Sequence, residues 1–279
     1  YSQVTFRAGF PLDDAWIHQT YARNLALRGE WAFLPGQPSA GSTAPLWSLM
    51  LSVGYILRLG PYAWTYLLGW VCLVGVAWQG GTILKVLAPA RSGPAIWVAV
   101  FLALEYHLVW AAASGMETLL YAWLVLAVFA ELAQPQPRWT RAGLLVGISV
   151  WVRPDGITLL GPALWVLFFH GQNWSWRLRG LRSVGLGVGA LLVIYIFFNL
   201  KLSGNWLPNT FFAKQAEYAI LRQAPLWKRW LDQIALPLVG AGPCFCPGWG
   251  SLLFRRYARV VGPRWRGRSG LGGIYCCTH

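Results

Sequence analysis

Charge is what this sequence has least of. Only 11% of its 279 residues are charged and nine are acidic, whereas an ordinary soluble domain carries about a quarter charged residues. A water-facing surface cannot be assembled from so few ionisable groups, so a free-standing soluble fold is excluded. Cysteine is nearly missing from the body of the chain: Cys72 stands alone until Cys244, Cys246, Cys276 and Cys277. A Cys-x-Cys and a Cys-Cys lack the spaced pairs of a zinc site, and His18 has no second histidine at ligand spacing. Cys72, on a Trp-rich stretch, reads as packing. No internal repeat is visible, so the chain lacks the sequence mark of transporters built from two related halves.

What the chain does have is apolar and aromatic. Hydrophobic residues make up 56%, mean hydropathy is +0.46, and there are 19 Trp and 11 Tyr, rings that suit the two headgroup levels of a bilayer. The expected fold is an all-α membrane protein, a polytopic helical bundle of about 6–8 membrane segments. Candidate spans are 62–84, 94–112, 118–132, 142–152, 157–170 and 184–200. The formal charge of +14 comes from Lys and Arg scattered between apolar runs and not from one basic face, which argues against nucleic acid. Basic loops at 85–93 (Lys85, Arg91), 133–141 (Arg138, Arg141) and 171–183 (Arg177, Arg179, Arg182) fall on one side by span count, and positive-inside bias makes that side cytoplasmic. The other face, outside the plasma membrane, then receives Ser114 to Glu117, Arg153 to Gly156 and the segment after Lys201.

The N-terminal part holds the densest polar chemistry. Ile17, Tyr21 and Leu25 recur every four residues after Asp13-Asp14, and Gly29 can end the helix they imply. Either acid can cap that helix, but capping needs one acid and there are two. Residues 31–45 are rich in Pro and Gly and predict a loop of defined shape. The run Leu46 to Leu59 is short for a crossing and better fits a re-entrant or interfacial helix, which leaves residues 1–44 on the outward face; a full crossing would instead put them in the cytoplasm. The expected organisation is an extracytoplasmic catalytic loop at 1–44, a membrane bundle at 45–200, an extracytoplasmic segment at 201–241, and an aberrant tail at 242–279. That tail is Arg-rich, without Lys or acid, and reads as a shifted frame. A membrane anchor is expected to precede Phe10 in the intact protein.

Six blocks in order carry a resemblance. They are Asp13-Asp14-Ala15 with Tyr21-Ala22-Arg23-Asn24-Leu25, Phe33-Leu34-Pro35-Gly36, Gly41-Ser42-Thr43-Ala44-Pro45-Leu46-Trp47, Ser114-Gly115-Met116-Glu117-Thr118, Arg153-Pro154-Asp155-Gly156, and Leu207-Pro208-Asn209-Thr210-Phe211-Phe212-Ala213-Lys214. Together they resemble the GT-C superfamily, and within it the bacterial polytopic glycosyltransferases similar to the mycobacterial terminal arabinofuranosyltransferases. The resemblance implies a GT-C-like architecture and transfer of a sugar from a polyprenyl-phosphate donor to an extracytoplasmic hydroxyl on a glycan, lipid or protein. It implies Asp13 as general base, Asp14 as supporting acid, Glu117 as a second acid, and Tyr21, Arg23, Asp155 and Asn209 as substrate-binding residues. It also admits a divalent cation, Mg²⁺ or Mn²⁺, on Asp13 and Asp14.

Phosphate departure calls for cations, and Arg153 and Lys214 are the candidates on the outward side. Each residue has a plainer reading: Arg153 can snorkel to headgroups with Asp155 as its turn partner, and Glu117 can start a helix. Glu105 and His107, inside an apolar run, fit a satisfied bundle contact. The competing function is a lipid or solute transporter, or an inactive scaffold.

Overall fold

A computed structural model describes residues 9–87, 93–169, 173–217, 219 and 224–239. Its chain forms two compact units, Tyr1–Lys214 and Gln215–His279. Residues 240–279, where the frame shift and the four late cysteines were expected, lie outside the described residues, as does Arg91.

Among the described residues the fold is all-α, with no strand and one isolated bridge, Ala32 to Pro38. In the first unit α1 is Asp13–Arg28, α2 Pro45–Ile56, α3 Pro61–Leu87, α4 Ala95–Leu104, α5 Tyr106–Ala113, α6 Thr118–Leu132 and α7 Trp139–Val152. A 3-10 segment, Pro154–Leu159, leads into α8, Leu160–Phe169, and α9 is Trp174–Ser203. Helix α10, Asn209–Glu217, begins in this unit. In the second unit, α11 is Leu226–Val239, with Trp227, Trp230, Leu231 and Ile234 all exposed.

Local chemistry sets the ends. Helix α1 opens with two acids against the positive helix terminus and closes on Gly29 at φ 69°, whose amide reaches Leu25 O at 3.0 Å. The loop after it has the defined shape its composition predicts. The Asn24 amide donates to Ala32 O and Phe33 O, and the Tyr21 hydroxyl meets Ser39 Oγ at 2.7 Å and accepts from Gly41 N–H. Helix α2 has 12 residues, about 18 Å at 1.5 Å per residue and short of a bilayer. Near its start Ser48 meets α1, and near its end the Tyr55 hydroxyl donates to Gln19, which itself donates to Thr65 in the first turns of α3. Both halves of α2 are therefore held at one end of the bundle.

Helices α3 and α9, of 27 and 30 residues, are long and apolar enough to cross a membrane, and the α4–α5 pair, bent by 53°, makes a third if taken as one span. That is fewer than the 6–8 expected. The apolar sequence is cut into shorter helices, α6 of 15 residues and α7 of 14, by Gly115, by Pro135 and Pro137, and by Pro154. Large side chains such as Trp78, Trp97, Leu186 and Val193 stay exposed along α3, α4 and α9, as helices facing lipid require. At the α4–α5 bend, Glu105 accepts from Leu108 N–H and pairs with His107 at 2.6 Å, a local and largely exposed pair in place of the bundle contact expected.

Two cores flank α6. Its first half packs with Trp47, Leu51, Cys72 and Leu73, and its second half with Val146, Ala163, Leu167 and Val184. Helices α7 and α9 meet backbone to backbone. A β-carbon on Gly143 would come within 2.6 Å of Val184 O, and one on Gly187 within 2.8 Å of Leu144 N, the close approach that small residues permit between membrane helices.

Candidate functional site

Four segments far apart in sequence converge at one end of the bundle. The α5–α6 turn is formed by Ser114, whose hydroxyl donates to Ala111 O, and by Gly115 at φ 82°. A β-carbon on Gly115 would strike the Phe10 ring at 2.7 Å, and the Gly115 carbonyl accepts from the Trp47 indole N–H at 3.0 Å. This is a position where glycine is required twice, by backbone angle and by space. The turn delivers Glu117 to the start of α6. Arg153 follows the last residue of α7 in extended backbone, and Pro154 starts the next helical segment. Asn209 N–H donates to Ala40 O at 3.0 Å and so ties the start of α10 to the N-terminal loop.

The convergence encloses a cleft of about 490 Å³. Its polar lining is Asp14, Thr43, Glu117, Arg153, Asp155 and Lys214; Met116, Pro154, Ile157, Trp206, Leu207 and Phe211 supply apolar walls. Acid, base and cation are thus gathered in a mostly apolar hollow, the usual chemistry of a ligand site.

Glu117 is its electrostatic centre. The residue is 3% exposed, and a buried carboxylate needs partners. One oxygen, Oε1, lies 3.5 Å from an Arg153 terminal nitrogen, and Oε2 lies 3.3 Å from His18 Nε2. Burial by itself pushes the carboxyl up, but the His18 ring and the Arg153 guanidinium outweigh it and hold Glu117 below its ordinary range. The Arg153 Nε donates to Asp155 at 3.3 Å, and the guanidinium sits 5.6 Å from the Tyr121 ring centroid. Its side chain is 40% exposed, so a cleft ligand can still reach it.

The two adjacent acids divide their work. Asp13 is exposed, its Oδ1 accepts the Asp14 amide at 3.0 Å, and it does not line the cleft; Asp14 does. One acid serves a free amide of the first helical turn and the other faces the hollow. Among the described residues no group of three His, Cys, Asp or Glu side chains gathers to hold a metal.

Three residues assigned to substrate by the resemblance stand elsewhere. Tyr21 is buried with its hydroxyl engaged by the loop, Arg23 is exposed off the cleft, and Asn209 contributes a backbone bond. Sequence reasoning passed over His18, which is 2% exposed and meets Ser42 and Ser48 through Nδ1 at 3.2 and 3.3 Å. Its spacing of four from Asp14, which places both on one face of α1, was the available signal. Comparison with known proteins finds no match to any family model, curated protein or solved structure.

Proposed function

We propose that the chain is a membrane glycosyltransferase that moves a sugar from a polyprenyl-phosphate donor to an acceptor hydroxyl in this cleft. The observation that carries the reading is the meeting of a cleft-facing carboxylate, Asp14, with two cations, Arg153 and Lys214, between apolar walls at one end of an apolar bundle. The order of the sequence blocks that resemble GT-C enzymes supports it independently.

In this reading Asp14 accepts the proton of the acceptor hydroxyl, whose oxygen forms a bond to the sugar's anomeric carbon as the bond from that carbon to the phosphate oxygen breaks. The leaving polyprenyl phosphate carries the negative charge, and Arg153 and Lys214 stabilise it. Glu117 holds Arg153 in place and does not itself take the proton. The apolar walls at Ile157, Trp206, Leu207 and Phe211 suit the first isoprene units. The shorter helices α6, α7 and α8 join α3, α4–α5 and α9 in the plasma membrane, and the cleft faces the extracytoplasmic side, opposite Lys85, Arg138, Arg141 and Arg177. The acceptor is a cell-envelope glycan, lipid or protein.

The test is transfer in vesicles that contain the purified protein, a panel of radiolabelled polyprenyl-phosphate hexoses and pentoses, and cell-envelope acceptors. Label that moves into an acid-stable glycoside, and does so less in Asp14→Asn, supports the reading. Label that changes leaflet without any new glycosidic bond identifies a transporter instead.

A further inference from the structure

His18 belongs to none of the roles assigned above, yet it is the most constrained ionisable side chain near the cleft. It projects from the second turn of α1 into a pocket closed by Ser42 of the loop and Ser48 in the first turn of α2, both buried. Those two hydroxyls lie 3.0 Å apart, and both touch the ring's Nδ1. With one nitrogen clasped, the ring's other nitrogen, Nε2, rests 3.3 Å from Glu117 Oε2, an ion-pair contact without the alignment of a hydrogen bond. Because hydroxyls donate or accept, this arrangement works for the neutral and the charged ring alike.

We propose that His18 is a positioning residue for the donor's phosphate and acts through Glu117 on Arg153. The inference rests on the reading of the cleft as a donor site. Its physical basis is the division of one buried carboxylate between two partners. While His18 lies against Oε2 as its ion-pair partner, Arg153 meets Oε1 alone, and the guanidinium does so through one terminal nitrogen and stays partly exposed toward the cleft. Without His18, Oε2 is a buried anionic oxygen with no partner, a costly state. The side chain relieves it by turning both oxygens to the guanidinium, in the two-pronged pairing that arginine and carboxylate favour. That pairing draws Arg153 inward and takes it from the phosphate. His18 therefore sets how far Arg153 reaches into the cleft, although it touches no substrate.

The test is binding of undecaprenyl phosphate to the full chain in detergent, followed by thermal shift, for the wild type, His18→Gln, Glu117→Gln and the double variant, with Ser42→Ala as a milder probe of the same clasp. His18→Gln is expected to weaken binding about tenfold. In the Glu117→Gln background the same change should add less than about twofold, because its route of action has been removed. Ser42→Ala should weaken binding about two- to threefold and keeps the test open if His18→Gln misfolds. Equal binding by wild type and folded His18→Gln, or full additivity in the double variant, overturns the inference while leaving the donor reading intact. No binding by the wild type overturns the donor reading itself.

Discussion

Helix α6 carries a buried glutamate at each end, and the two are held in opposite ways. Glu131, in the last turn, accepts the Arg138 amide at 2.8 Å and pairs with Arg141 at 3.4 Å. Every partner lies within ten residues, and the result closes the turn into α7. Glu117, just before the first turn, draws His18 from α1 and Arg153 from the end of α7. A carboxylate at a helix C-terminus stands against the helix dipole and needs its cations; one at the N-terminus is favoured there and can share them. The local pair fastens a turn, and the long-range pair assembles a site.

The contrast can be broken by substitution. The largest expected effect is at the cleft acid: Asp14→Asn should cut sugar transfer by roughly 10²- to 10⁴-fold, while Asp13→Asn, at the helix start, stays within about threefold. Equal losses in the vesicle assay would dissolve the division of labour between the two acids. Next, Glu117→Gln and Arg153→Lys should each lower kcat/KM by about 10- to 100-fold, the first because Arg153 loses its anionic anchor and the second because a point charge does not replace a planar fork. Glu131→Gln should leave kcat/KM unchanged. A matching loss there would mean that both ends of α6 act on the cleft.

Stability sharpens the contrast further. Glu131→Ala should cost about 1–2 kcal/mol in denaturant unfolding, the scale of hydrogen bonds to a charged group that is only partly shielded, without loss of turnover per folded molecule. The smallest effect is in pH. Glu117 is held below its ordinary value, so its pairing contributes fully above the unfolded pKa of about 4.3 and is lost as pH falls through the lower folded value. The thermal stability of wild type relative to Glu117→Gln should therefore fall only below about pH 4.3. A difference that is flat across that range would show that the carboxylate's charge is not used.

Much of the architecture was legible from composition and punctuation. Few charges and many Trp foretold an apolar all-α bundle, Gly29 foretold the end of α1, and the Pro and Gly of residues 31–45 foretold a shaped loop. The number of crossing helices was less legible, because hydropathy does not say whether Gly115 or Pro154 bends a helix or ends it. In the cleft, Asp14, Glu117, Arg153, Asp155 and Lys214 could be named because each sits in one of the sequence blocks that resemble GT-C enzymes. Arg23 shares such a block yet is turned to an exposed face, and Tyr21, on the face of Asp14 and His18 but two turns further along α1, spends its hydroxyl on Ser39 and Gly41 of the loop. His18 stayed hidden because its partners, Ser42, Ser48 and Glu117, are 24, 30 and 99 residues away, and no local spacing encodes such contacts.

The backbone contact between α7 and α9 reaches well beyond packing. Helix α7 runs into Arg153, while α9 ends at Ser203 and the chain passes Trp206 before entering α10, which carries Lys214, so the contact at Gly143 and Gly187 lies upstream of both cation-bearing segments. A single methyl group at Gly143 meets main chain, which cannot step aside as a side-chain tip can, so α7 and α9 must part to admit it. The width of that seam is gauged by two missing side chains, and the thickness of one carbon atom there resets it.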